Sequence, residues 1–388
     1  MVFDNTIDEL IEESTQYYKH YGTEPIFISD WNPSDENLQD IVLNYENKLP
    51  INKYSYLYSI DDVGYKNIHK KYCELNDVMI DCDQFSLFSN ATIALYIAFK
   101  HLAMSNNRNI LAFTPCYFTN DSALQSLGFK VTYYNFFDVN DFNTDEIIYI
   151  VKKNKITSIL VTDPIFGMGI SISDNFYKKI INFCKTYDLK LIIDYAYGNM
   201  QWSSNEFIIN KTLINTLIHS KIQFYLIDSL PKKLFFNGKK FSIMYSTNTN
   251  ICELEQIALF VEGSLTIDQL TFYSQCYDPI NSFVINRTIS SYCLKAFQNY
   301  KLIQTLLMNH DVKMIEANSS IFTTIGIPRT VPISQDMDYA KSMIKKHGIM
   351  LTPHSRYHFY DEKYFYFRVN LLLETDILLN SLTKLLTK

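Results

Sequence analysis

The chain has 388 residues, 47% of them hydrophobic and 20% charged, with a formal net charge of −6. This is ordinary globular composition with ample apolar content for a large core, and the length suits two domains or one large domain with a lobe. The absence of a basic stripe argues against a nucleic-acid partner, and no apolar run approaches a membrane span. The N-terminus, MVFDNTIDELIEE, is acidic and lacks the basic-then-apolar layout of a signal peptide. Seven cysteines are scattered with no CxxC pair, which reads as reduced thiols and a cytoplasmic location. The histidines show no HExxH spacing; His354 and His358 fall in a segment read as loop, and no metal site is expected.

Residues 1 to 20 read as an amphipathic helix with Ile7, Leu10, Ile11 and Tyr17 on one side. SDWNPSDEN, 29 to 37, is turn-rich and is expected near the entrance of a site. KYSYLYS, 53 to 59, sets Tyr54, Tyr56 and Tyr58 on one side of an extended segment, a pattern that equally suits a half-buried strand face. FSLFSNATIALYIAFKHL, 85 to 102, is a strand, a turn of small residues and a helix carrying Ile93, Tyr96, Ile97 and Leu102. Such a turn presents helix N-terminal N–H groups to an anion, although most strand-turn-helix units bind none.

Residues 109 to 136 give strand, loop, helix, a glycine stop at Gly128 and strand; 156 to 173 give a strand ending in a Pro/Gly-rich turn. NFYKKIINFCKTYDL then supplies a helix, and LKLIIDYAYGN a short aliphatic strand with Asp194 at its C-terminal end. Alternation of this kind implies a mostly parallel sheet with helices on both faces, whose strand C-termini form the ligand edge. Residues 250 to 307 turn helical and end in a long connecting helix. Strand, helix, strand, strand and a closing helix, 377 to 386, follow as a small α+β lobe.

The stretch IQFYLIDSLPKKLFFNGKKFS, 222 to 242, organises this reading. A buried strand over Phe224 to Ile227 ends in Asp228 and Ser229, and Pro231 precedes two lysines. With an apolar body on one side and Phe235 and Phe236 on the other, Lys232 is expected to be partly desolvated, which turns an ammonium into an amine nucleophile near neutral pH. Asp194 reads either as a turn residue or as a buried carboxylate facing a cationic ring nitrogen.

In order and spacing, DYAY, SLPKKLFFNGKK and FRVN resemble the pyridoxal-phosphate core of fold-type I enzymes, and most of all the class I/II aminotransferases. Their pattern is D-x-x-Y, then S-x-S-K-x5-G-x-R, then an F-R-[ILV]-[NS] strand. The resemblance spans roughly 50 to 388 and implies an aspartate aminotransferase-like fold. It divides the chain into an N-terminal arm with part of the small domain (1–50), a large cofactor-binding domain (51–285) and a C-terminal small domain (286–388).

The resemblance assigns Lys232 the Schiff-base aldimine with pyridoxal phosphate, Asp194 the pyridinium nitrogen, and Tyr197 the ring's phenolic oxygen. Asn90, Ala91, Thr92, Ser229 and Lys240 take the cofactor phosphate; Tyr117 stacks on the ring; Arg368 clamps the substrate α-carboxylate. A tyrosine, Tyr56 being the choice among the three, reaches across a homodimer to the neighbour's phosphate in a composite site.

Four positions depart from the pattern. Phe166, in DPIFGMG, replaces the asparagine that donates to the phenolic oxygen; Pro231 replaces a phosphate-binding serine; Lys240 stands for an arginine; Ser242 stands for a glycine. The expectation is therefore an aminotransferase of specialised metabolism acting on an L-α-amino acid. The alternatives are an enzyme that eliminates, cyclises or decarboxylates, as capreomycidine-synthase-like relatives do, and a degenerate scaffold without catalysis. No G-x-G-x-x-G opens a helix, which sets aside a dinucleotide fold. Arg356 is open between a second anion site and a structural role. Nothing in the sequence reads the substrate side chain.

Overall fold

A computed structural model describes residues 5–34, 38, 62–104, 108–136, 144–203, 211–236, 238–246, 251–263, 265–329 and 335–386. Tyr54, Tyr56 and Tyr58 lie outside the described residues, as do Asp35 to Asn37 of the turn-rich segment.

The principal sheet has seven strands in the order Phe85–Phe88, Ser242–Ser246, Phe224–Asp228, Lys190–Tyr195, Ser158–Thr162, Asn109–Thr114, Lys130–Asn135. All are mutually parallel except Ser242–Ser246, which runs against both of its neighbours. Alternate residues feed two separate cores. Leu111, Ile159, Val161, Leu191, Ile193 and Leu226 face one, with the helices Asp174–Tyr187 and Lys211–Ser220. Ile110, Ala112, Leu160, Ile192 and Ile227 face the other, with the helix Ala91–Ala103. Near-continuous aliphatic strands are what a sheet covered on both faces requires. The six parallel strands therefore end together at one carboxyl edge, where Asp194 and Asp228 stand.

The 29-residue helix Pro279–Leu307 leads to a four-stranded antiparallel sheet of Thr352–Pro353, Tyr364–Asn370, Phe322–Pro328 and Lys313–Met314. The N-terminal chain joins this part. Ile26–Phe27 pairs in parallel with Ile349–Met350, and the helix Thr6–Tyr21 packs beside Asp336–His347 with ion pairs Lys341–Glu9 and Lys345–Glu13. Leu10 is buried as expected, whereas Ile11 is 51% exposed; the inward face continues through Glu13 instead, whose carboxylate meets Lys345. The segment 354 to 358 is not the loop expected: His354–Tyr357 form a 3-10 turn, closed by His358 in the left-handed conformation.

The DPIFGMG turn ties the two sheets together. Asn318 and Ser319 both donate from their backbone N to the Gly169 carbonyl at 2.9 Å, and Thr324 Oγ1 donates to the Gly167 carbonyl at 2.9 Å. Gly169 has φ +71°, and a Cβ there would stand 2.1 Å from the Phe322 carbonyl oxygen. Only glycine meets both constraints. Gly169→Ala is expected to lower unfolding free energy by more than about 2 kcal/mol, measured by urea denaturation.

Candidate active site

The site lies at the carboxyl edge of the large sheet, where it meets Phe322 and Arg368 of the small sheet. One turn of helix, Leu230–Lys233, follows directly on the strand Phe224–Asp228, with Pro231 in its first turn. A single turn fits because proline needs no donor there. Successive residues of a helix point about 100° apart, so the adjacent lysines part company. Lys233 is fully buried, its Nζ 2.9 Å from Asp228 Oδ1 and 5.7 Å from the Tyr195 ring centroid. Lys232 turns instead into a cavity, where burial and the nearby Lys240 hold its pKa below the usual lysine range.

That cavity has two adjoining parts, sharing Trp31, Ala91, Thr92, Tyr117, Tyr197 and Lys232. One is bounded by Phe166, Asp194 and Phe322 and is mainly apolar. The other is bounded by Asn90, Ser229, Pro231 and Lys240. In the second part the helix Ala91–Ala103 presents its N-terminus, with Asn90 as its cap: Oδ1 accepts from Ile93 N at 3.0 Å. Asn90 therefore spends its side-chain acceptor on the helix, and the N-terminal N–H groups carry the anion-binding capacity. Ser229 is buried, but its hydroxyl donates to the Phe241 carbonyl at 2.8 Å, so its proton is not turned to the cavity. Lys240 is exposed at the rim.

In the apolar part, Asp194 is buried, accepting from Asn120 Nδ2 at 3.2 Å and from Ala196 N at 3.4 Å. Burial raises its pKa, opposed by those hydrogen bonds and by Lys232. Tyr117 and Phe166 lie 5.3 Å apart between centroids, and Phe166 also meets Tyr357 edge-on at 4.7 Å. The Tyr197 ring packs against Phe322 at 6.0 Å, and burial pushes its phenol up.

Arg368 is 1% exposed. Its Nη2 donates to the Ser29 carbonyl, its Cζ sits 3.7 Å from the Trp31 ring centroid, and Nε and Nη1 have no partner. It forms no ion pair with a carboxylate among the described residues; the internal salt bridge that would have explained it structurally is not seen there. A buried cation with unmatched donors is a strong demand for an anion. Arg356 lies over the Phe118 ring at 4.0 Å; neither arginine is among the described residues lining the cavity, Arg368 lying against its Trp31 and Phe322 walls.

Sequence reasoning passed over Trp31, Asn120, Asp163, Phe322, Lys233 and His354. Trp31 lay in the turn-rich segment expected at the entrance, and it does line the cavity. Asn120 follows Tyr117 by three residues, the spacing of one helical turn, so it could have been found. Asp163 lines the cavity while its carboxylate accepts from Tyr177 Oη at 2.8 Å and Ile172 N at 3.0 Å; burial pushes its pKa up to about 6. His354 is buried behind Gly167, its Nε2 3.0 Å from Thr324 Oγ1; burial and Arg368 push its pKa down to about 3, so it is neutral. Nothing local in the sequence marks Phe322 or His354.

The residues present fit pyridoxal phosphate. They supply a buried carboxylate with no ion pair among the described residues, an amine facing the cavity, an aromatic wall, and a helix N-terminus with a cation at its rim. The fold is of the aspartate aminotransferase type. The model of the family "Aminotransferase class I and II" matches residues 65–376, and the chain belongs to that family, whose cofactor is pyridoxal phosphate.

Among solved structures, the chain is similar to a probable N-succinyldiaminopimelate aminotransferase of Thermus thermophilus (TM-score 0.79, 12% identity, 98% of each chain). It is also similar to aspartate aminotransferase of Thermotoga maritima (TM-score 0.72, 14% identity, 100% of each chain). Among curated proteins it is 21% identical to 1-aminocyclopropane-1-carboxylate synthase 4 of Solanum lycopersicum, over 52% of this chain and 43% of the relative. The chain thus spans less than half the length of that relative.

The two lysines predict opposite phenotypes. Lys233→Met strands Asp228 and is expected to cost about 3–5 kcal/mol in urea denaturation, while Lys232→Met, which breaks no ion pair, costs under about 1 kcal/mol.

Proposed function

We propose that the chain is a pyridoxal-phosphate enzyme acting on an L-α-amino acid, with Lys232 as the amine that anchors the cofactor and then carries the substrate's α proton. The observation that carries this reading is that Lys232 lines both parts of the cavity while its neighbour Lys233 is buried against Asp228. Bound there, pyridoxal phosphate supplies an electron sink for the bond broken at the substrate's α carbon.

The chain's own residues do the rest. The N–H groups at Ala91 and Thr92, with Lys240, hold the phosphate. Asp194 keeps a ring nitrogen protonated, its burial giving that charge pairing full strength. Tyr117 packs on the ring face, and Tyr197 donates to the phenolic oxygen without help from Phe166. Ser229 joins the phosphate set once its hydroxyl leaves the Phe241 carbonyl. Arg368 takes the substrate carboxylate on its unmatched N–H groups, and Trp31 and Phe322 exclude water. Lys232, depressed in pKa, accepts and returns the α proton. A homodimer with Tyr56 completing the neighbour's phosphate site, a cytoplasmic setting and the division at residues 50 and 285 belong to the same proposal. The separate small sheet and the N-terminal strand joined to it support that division.

Transamination of specialised metabolism is the first reading. Cyclisation or elimination is the second, favoured by Phe166 in the asparagine position and by the curated relative that is a synthase of 1-aminocyclopropane-1-carboxylate. A panel of L-amino acids separates them. With no keto-acid acceptor present, transamination releases keto acid only once per site, whereas elimination or cyclisation turns over continuously. Lys232→Ala is expected to abolish the protein's visible cofactor absorbance and to lower turnover by about a thousandfold or more. Retention of both would refute the assignment.

A further inference from the structure

We propose that Trp31 sets the substrate class, selecting an α-amino acid with an aromatic or other apolar side chain over one carrying a second acid group. The inference rests on the reading that Arg368 takes the α-carboxylate and Lys232 serves the α carbon. Trp31 is held from both sides: Asn370 donates from its backbone N to the Ile28 carbonyl at 2.8 Å and from Nδ2 to the Asn32 carbonyl at 2.7 Å. Its indole contacts both cations that would handle the reacting end of the substrate, with Arg368 Cζ at 3.7 Å and Lys232 Nζ at 5.9 Å from the ring centroid. A side chain on an α carbon between those two groups must lie against this indole or the rings beside it. Those rings are Phe166 at 5.5 Å, Phe322 at 5.6 Å and Tyr117 at 5.9 Å.

Charge points the same way. Among the described residues, the charged groups lining the apolar part are Lys232, Asp163 and Asp194. Lys232 is committed to the reaction and Asp194 to the cofactor's ring nitrogen, which leaves Asp163, a carboxylate that repels a further acid group. Arg356 is laid over Phe118, and Lys240 lies at the phosphate end. A second substrate carboxylate would be buried with no further cation among the described residues, which is strongly unfavourable, whereas an apolar side chain gains about 25 cal/mol for each Å² it buries. An aromatic one adds ring–ring contact with Trp31 and Phe166.

Calorimetric titration of the cofactor-loaded protein with phenylpropionate, isocaproate and glutarate, acids that lack the reactive amine, tests this. The two apolar acids are expected to bind at least about tenfold more tightly than glutarate. Trp31→Ala is expected to weaken phenylpropionate by about tenfold and glutarate by less than about twofold, and Trp31→Phe to restore most of the loss. Glutarate binding as tightly as phenylpropionate, or a Trp31→Phe and Trp31→Ala pair that bind phenylpropionate like the parent, would overturn the proposal. Failure of the underlying functional reading looks different: the protein takes up no cofactor and shows no cofactor absorbance, whatever the acids do.

Discussion

The site depends on the buried ion pair between Asp228 and Lys233. Asp228 closes the strand, Lys233 closes the helical turn that follows, and their 2.9 Å contact fixes how that turn is rotated against the sheet. Given that rotation, the preceding residue must face the cavity. A lysine there loses hydration on the apolar side and feels Lys240 on the other, so its pKa is held below the usual lysine range. The dry surroundings that make the Asp228–Lys233 pair expensive to break also make Lys232 chemically useful.

The second constraint is that no single sheet holds the site. Lys232, Asp194 and the N-terminus of Ala91–Ala103 belong to the large sheet and its helices; Arg368 and Phe322 belong to the small one. Registry between them comes from Gly169 and Gly167, whose carbonyls accept from Ser319, Asn318 and Thr324. The N-terminal segment adds a third support: Ser29 accepts from Arg368 and places Trp31 above it. Trp31 thus packs on the Arg368 guanidinium while leaving its Nε and Nη1 in need of an acceptor.

The fold was legible because its elements obey local rules: aliphatic runs at Ile159–Val161, Leu191–Ile193 and Phe224–Ile227, each followed by a turn residue, specify a covered parallel sheet. Asp194, Tyr197, Lys232 and Arg368 were legible through their motif spacing; the first three line the cavity, and Arg368 lies behind it against Trp31 and Phe322. What the sequence hid were facts of side-chain direction. Ser229 has the right position, but its proton goes to the Phe241 carbonyl, a residue twelve positions away that no local pattern marks. Ile11 fits the helical period, yet Glu13 takes the inward place because Lys345 waits for it. Trp31, Phe322 and His354 reach the site from distant parts of the chain, so only the tertiary contacts among the two sheets and the N-terminal segment could reveal them.

Borohydride reduction of the cofactor-loaded protein, followed by peptide mass spectrometry, tests the central claim most directly, because it fixes the cofactor on the lysine that holds it. The account predicts the added mass on Lys232 alone, with Lys233 unmodified. Label on Lys233, or a reduced protein that carries no added mass, would contradict it.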